Sequence, residues 1–162
     1  MIIRPVQPQD SGALWAILEP ILRAGETYAL PRDWTQAHAL AYWLGPPHQV
    51  FVAQDDHEAP IVGTYFLTPN QQGGGDHIAN CGFMTAEGST GRGIARRMCT
   101  HALELARSQN FCAMQFNFVI STNTRAVALW QSFGFEILAA IPEAFRHPEL
   151  GYVDALVMYK RL

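Results

Sequence analysis

Lysine is all but missing from this chain: Lys160 is the only one, so nearly every positive charge sits on arginine. Cysteine is scarce as well. Cys81, Cys99 and Cys112 are odd in number and share no C-x-x-C spacing, which argues against a disulfide framework and against a thiolate metal site. They read as small buried residues of a reducing cytoplasm. The six histidines show no H-x-x-x-H or comparable spacing, so no metal is expected. No apolar run approaches the ~20 residues of a membrane helix, and no charged N-terminal region precedes an apolar stretch. A net charge of −3 provides no general basic surface for nucleic acid. What the chain does have is 162 residues, 49% of them hydrophobic and 15% charged, enough for one globular domain over 1–162.

Periodicity predicts the elements. Ile2 to Pro5 reads as a short strand. Asp10-Ser11 caps a helix from Gly12 with Leu14, Ile17, Leu18, Ile21 and Leu22 on one face, which Pro20 should kink or end. A second helix restarts at Pro31-Arg32-Asp33, carries Trp34, Ala37, Ala41 and Leu44, and stops at Gly45-Pro46-Pro47. Strands 49–53 and 61–67 flank a polar turn as a hairpin. After the loop 69–76, with three glycines and the character of a flexible lid or plain hairpin loop, come strand 77–84, a helix to about Ser108, strand 112–120, helix 123–133, and strands 135–140 and 152–159. Hairpins and crossovers together make an α+β, or mixed α/β, sheet with helices on its faces.

Chemistry concentrates between the fourth strand and the third helix. Gly91-Arg92-Gly93 turns into a helix whose Ile94, Met98, Ala102 and Leu105 face the sheet. Its first N–H groups emerge at a strand's carboxyl end, where a helix terminus carries about half a positive charge and attracts anions. The P-loop pattern G-x-x-x-x-G-K-S/T is absent, and Arg96 occupies the third glycine position of a dinucleotide fingerprint. By itself the turn reads equally well as a phosphate cradle or as an ordinary tight turn.

The next helix decides between them. Thr90-Gly91-Arg92-Gly93-Ile94-Ala95, followed by Asn123, Ala126, Leu129-Trp130 and Gly134-Phe135, resembles the GNAT acetyltransferase superfamily over roughly residues 77–140. That resemblance implies a central mixed, largely antiparallel sheet of about seven strands flanked by about four helices, with a splayed parallel strand pair. It implies acetyl-CoA as cosubstrate. The pyrophosphate would lie on the N–H groups of Thr90, Gly91, Arg92, Gly93, Ile94, Ala95 and Arg96. The backbone of Phe83, Met84 and Thr85 would hold pantetheine as an added strand, the Phe83 N–H acting as oxyanion donor and Gly82 supplying the strand bulge. Asn123 and Trp130 would also meet the cofactor. Two departures stand out: Thr90 replaces the usual Gln or Arg, and Trp130 replaces the tyrosine that often protonates the departing thiolate. Tyr28, Tyr65, Tyr159 or water remain as donors.

Acceptor residues are less defined. Asn80 and Asn117 interrupt apolar strands and either satisfy local backbone or orient the acceptor. "HIANCGF" and "FNFVISTN" resemble the yeast N-acetyltransferase for L-azetidine-2-carboxylate, which implies that Asn80, Asn117 and Asn123 bind substrate. "GETYALP" resembles the phosphinothricin-type acetyltransferases, which makes Glu26, Thr27 and Tyr28 candidates for the acceptor wall. Glu26, Asp76 and His77 are candidate bases. The expectation is acetyl transfer, by direct attack in a ternary complex, to a small amino-acid or imino-acid analogue. Protein N-terminal or lysine acetylation, and an acyl-CoA sensor without turnover, are the alternatives. No nucleic acid or membrane partner is expected, and a homodimer is left open.

Overall fold

The computed structural model describes residues 1–162. The elements run β1 (Ile2–Pro5), α1 (Ser11–Ala24), α2 (Gln36–Trp43), β2 (Gln49–Gln54), β3 (Ile61–Pro69), β4 (Ile78–Thr85), α3 (Ile94–Ser108), β5 (Ala113–Ile120), α4 (Thr124–Ser132), β6 (Glu136–His147) and β7 (Gly151–Arg161). They form one seven-stranded sheet in the order β1-β2-β3-β4-β5-β7-β6. Every neighbouring pair is antiparallel except β4 and β5. This is the expected mixed, largely antiparallel α+β architecture. No helix is long and apolar enough to cross a membrane.

A core covers each face. Under α1 and α2 lie Leu14, Leu18, Leu22, Ala39 and Trp43 against Val50, Val52, Phe66 and Met84. On the other face Ile94, Met98, Ala102 and Ala106 of α3 and Trp130 of α4 pack on Tyr65, Leu67, Cys81, Met114 and Phe116. The polar interruptions are satisfied. The fully buried Trp43 donates from Nε1 to Thr64 Oγ1 at 3.1 Å, and Thr64 donates onward to Phe51 O at 2.9 Å.

Several local expectations are corrected. α1 does not end near Pro20 but continues to Ala24 and closes on Gly25 at φ 67°, because Leu22 beyond the proline is buried. α2 begins five residues later than expected, at Gln36, where Thr35 accepts from His38 N–H. Its buried face is Ala39 and Trp43, while Ala37 and Ala41 are exposed. β6 extends past Ala140 to His147; its first nine residues are exposed, so no inside–outside alternation marks it. Cys81 and Cys99 are buried, but Cys112 is exposed. Gly82 is not a bulge, since β3 and β4 stay in register from Gly63↔Thr85 to Pro69↔Ala79. A glycine is needed there because the Phe66 ring lies over it, and a Cβ would meet Phe66 Cε1 at 2.5 Å.

Candidate active site

The parallel pair β4–β5 holds for only two positions, Ile78↔Ala113 and Ala79↔Met114. Beyond them the strands part. The bulge that helps turn β5 away lies on β5 itself: Asn117 and Phe118 together oppose the single residue Val157 of β7, as the register moves from Phe116↔Met158 to Val119↔Leu156. Asn70 N–H bonds Ile78 O at 2.7 Å and Ala86 N–H bonds Val62 O at 2.9 Å, so even-numbered residues of β4 face β3. Phe83 and Thr85 therefore direct their backbone groups into the gap.

A cleft of about 1140 Å³ occupies this gap, lined by β4, β5, α1, the N-terminal turns of α3 and α4, and the segment after α1. One end has the geometry of a glycine turn opening onto a helix N-terminus. Gly91 (φ 85°) and Gly93 (φ 74°) adopt left-handed conformations that disfavour side chains, and nothing lies within 4 Å of a Cβ at either. The first backbone bond of α3 is Arg97 N–H to Gly93 O at 3.0 Å, which leaves the N–H groups of Ile94, Ala95 and Arg96 free of intrahelical partners. All three residues line the cleft, as do Thr90, Gly91 and Gly93. Arg92 does not. Its guanidinium pairs instead with Asp55, in the turn between β2 and β3. Arg96 stacks on Phe133 at 5.3 Å and reaches Ser132, staying at the rim.

The middle of the cleft is Phe83, Met84 and Thr85, with Trp130 below. Trp130 is a core aromatic, 5.0 Å from the Phe83 ring and 5.1 Å from Phe116, yet it also contributes to the wall. Asn123 caps α4, accepting from Ala126 N–H at 3.3 Å while lining the cleft. Arg125 of the same turn also lines the cleft. Sequence reasoning passed over it because nothing local separates it from a solvated surface arginine.

At the other end stand Glu26, Thr27, Tyr28, Asn80 and Asn117. Asn80 is half-buried and its Oδ1 caps the backbone N–H of Cys81 at 2.8 Å. Asn117 is exposed rather than buried; it donates to Asn70 Oδ1 at 2.6 Å and accepts from Gln115 at 2.9 Å. Tyr28 donates to Phe83 O at 2.9 Å, a link across 55 positions of sequence. Burial pushes the Tyr28 phenol far up, so it stays protonated. Of the candidate bases, Asp76 and His77 lie away from the cleft and Glu26 lines it; of the other tyrosines, neither Tyr65 nor Tyr159 reaches it. The loop 70–76, part of it a short 3-10 turn, contributes no wall. Burial pushes the cleft-lining Cys81 thiol well up, which removes it as a nucleophile.

The pattern of the Acetyltransferase (GNAT) family matches residues 13–135. This chain belongs to that family. It is 30% identical over 113 residues to N-acetyltransferase aca1 of Schizosaccharomyces pombe, covering 69% of this chain and 54% of the relative, so it spans about half that protein's length. A GCN5-related N-acetyltransferase from Kribbella flavida superposes with a TM-score of 0.94 at 38% identity, over 99% of this chain and 97% of that one. The structure of a putative acetyltransferase from Salmonella typhimurium, solved with acetyl-CoA, shares the fold with a TM-score of 0.85 at 18% identity, over 100% and 94%. Membership in the GNAT family makes acetyl-CoA the group this cleft is expected to hold. Its own residues fit that group: the glycine turn leaves open space before free N–H donors, and the splayed edge of β4 offers amide partners.

Proposed function

We propose that this protein, acting as one domain over 1–162, transfers acetyl from acetyl-CoA to the amine of a small amino-acid or imino-acid analogue. The observation that carries the reading is the single cleft whose anion cradle and polar acceptor end are joined by the free edge of β4. In this reading the N–H groups of Gly91, Gly93, Ile94, Ala95 and Arg96 hold the pyrophosphate, and Asn123 and Arg125 flank it. Phe83 and Thr85 pair with pantetheine. Tyr28 occupies Phe83 O, which keeps the Phe83 N–H as the donor for the thioester oxygen. Asn80 and Asn117 orient the acceptor, and Thr27 and Tyr28 wall it.

The amine nitrogen attacks the thioester carbonyl, and Glu26 takes the amine proton through water. The C–S bond then breaks and CoA leaves as thiolate. Trp130 cannot act as an acid, but a thiol with pKa near 8.5 leaves as thiolate at pH 7 for about 2 kcal/mol. The buried Cys81 thiol favours direct attack over an acyl-enzyme. The reading includes a cytoplasmic location, with all three cysteines free. It also includes a homodimer. Leu138 is the most exposed large apolar side chain of β6, Ile137 and Ile141 lie exposed on opposite faces beside it, and Pro142 and two register shifts disrupt that strand's edge, so a second copy packs around Leu138 rather than extending the sheet.

The test is thiol release from acetyl-CoA across a panel of amino- and imino-acid analogues, peptides and no acceptor. Intersecting initial-rate patterns with a small analogue are expected. Turnover with peptides alone would replace the acceptor class. CoA binding without turnover on any amine would leave the sensor reading.

A further inference from the structure

A second cavity, of about 400 Å³, lies where the end of α1 meets the β6–β7 turn. Its lining is Gly25, Arg32, Arg146, His147, Pro148 and Gly151. It holds two guanidinium groups and an imidazole, and no carboxylate.

Arg32 and His147 are held in place by the fold. Arg32 Nε donates to Arg23 O at 2.8 Å, while Arg23 reaches back to Arg32 O and to Trp34 O at 3.0 Å, a reciprocal clasp that fixes the segment after α1. The Arg32 stem crosses Gly25 so closely that a Cβ there would meet Cδ at 2.6 Å; the glycine, at φ 67°, leaves the passage open. Arg146 lies beside His147 near the end of β6 and forms no ion pair. His147 is buried, and its Nδ1 accepts from the backbone N–H of Glu149 and of Leu150, each at 3.2 Å. Those two bonds require Nδ1 to be bare, so the ring proton is on Nε2, a donor with no acceptor in the protein. The outer nitrogens of Arg32 and Arg146 likewise have none.

We infer that this pocket binds an oxyanion, a carboxylate or phosphate group, through Arg32, Arg146 and the Nε2–H of His147. Planar guanidinium forks match such groups, and three donors on one cavity whose lining has no carboxylate favour an anionic ligand. Gly25 borders the pocket and the next residue, Glu26, lines the main cleft, so the two openings are neighbours. The anion is either an acidic group carried by the acceptor, distal to its amine, or a free ion. Binding as such is independent of the proposed acetyl transfer; the acceptor arm rests on it.

The probe is inorganic phosphate, with CoA at saturation to fill the main cleft. For wild type, the melting temperature should rise by about 3–6 °C at phosphate ten times its Kd. An Arg32→Gln/Arg146→Gln double variant should lose the rise, its melting curve without phosphate showing that it still folds. Equal rises in both proteins, or none in wild type, would overturn the site. Kinetics then assign the source. If the acceptor supplies the anion, kcat/KM for amines with a second acidic group falls about 10- to 100-fold in the variant while neutral amines keep theirs. If phosphate binding is lost but both amine classes keep their kinetics, the ligand is a free anion. Failure of acetyl transfer with retained phosphate binding sinks the function and leaves the pocket standing.

Discussion

Asp10 shows how much one side chain does here. It is buried, accepts from the two terminal guanidinium nitrogens of Arg4 at 2.7 and 3.0 Å, and accepts from Gln7 N–H at 2.7 Å. The Arg4 hydrogen bonds hold its carboxyl below the usual 3.8. A lowered pKa contributes stability that is complete above the unfolded value and is lost as pH falls through the folded one. Asp10→Asn should therefore cost about 1.5–3 kcal/mol at neutral pH, and much of that difference should vanish once pH drops below the folded pKa. Urea midpoints of both proteins at pH 7 and in strong acid check it; a gap that persists in acid would assign the cost to packing. Glu26 is argued differently, from position. Glu26→Gln should lower kcat at pH 7 by about 100-fold, less at high pH where the amine is already neutral, with KM for acetyl-CoA unchanged. A pH-independent loss would remove it as the base.

At the scale of elements, two glycines do separate jobs. Gly82 lets the Phe66 ring approach β4 closely, within a β3–β4 register that stays regular along the splayed stretch. Gly82→Ala should cost about 1–3 kcal/mol by overpacking, read as a fall in the urea midpoint. An unchanged midpoint would show that the ring swings aside at no cost. Gly93 has no neighbour to clash with, so its importance lies in φ and in the space before α3. Gly93→Glu places a carboxylate among the free N–H groups and should abolish CoA binding in calorimetry while the protein still folds. Retained affinity would move the phosphates elsewhere. β4 is also held at its open edge, because the Tyr28 hydroxyl links the segment after α1 to Phe83 O. The open edge of β4 and the segment after α1 are thus mechanically connected.

For the whole molecule, the sheet leaves β6 as an outer strand with its first nine residues exposed. Leu138, 58% exposed, is the most open of its large apolar side chains. Sedimentation should find a dimer for wild type and a monomer for Leu138→Asp. A monomeric wild type at tens of micromolar would overturn that assembly. Because β6 ends at Arg146 and His147, association through its first nine residues leaves the small basic pocket accessible.

What the sequence determined by itself were features encoded over a few neighbouring residues. Helix α3 with its glycine turn, the strand periods of β2 to β5, and the spacing from Thr90 to Phe135 all rest on local pattern, and residues of that pattern line one end of the cleft. Elements without such a pattern were illegible. The exposed outer half of β6 has no alternation, and α2 is too short for its periodicity to choose between Ala37 and Ala39. The tertiary structure decided whatever depends on distant partners. Arg92 had the right neighbours for a phosphate contact, yet Asp55, 37 positions away, takes its charge. Asn117 looked like a buried polar interruption, yet a bulge against β7 turns it outward. Tyr28 meets Phe83, and Arg32 shares a cavity with Arg146 and His147, only because the sheet order brings the end of α1 over β4 and beside the last hairpin. Such juxtapositions come from packing a whole sheet between two helical layers, and no short window of sequence contains both partners.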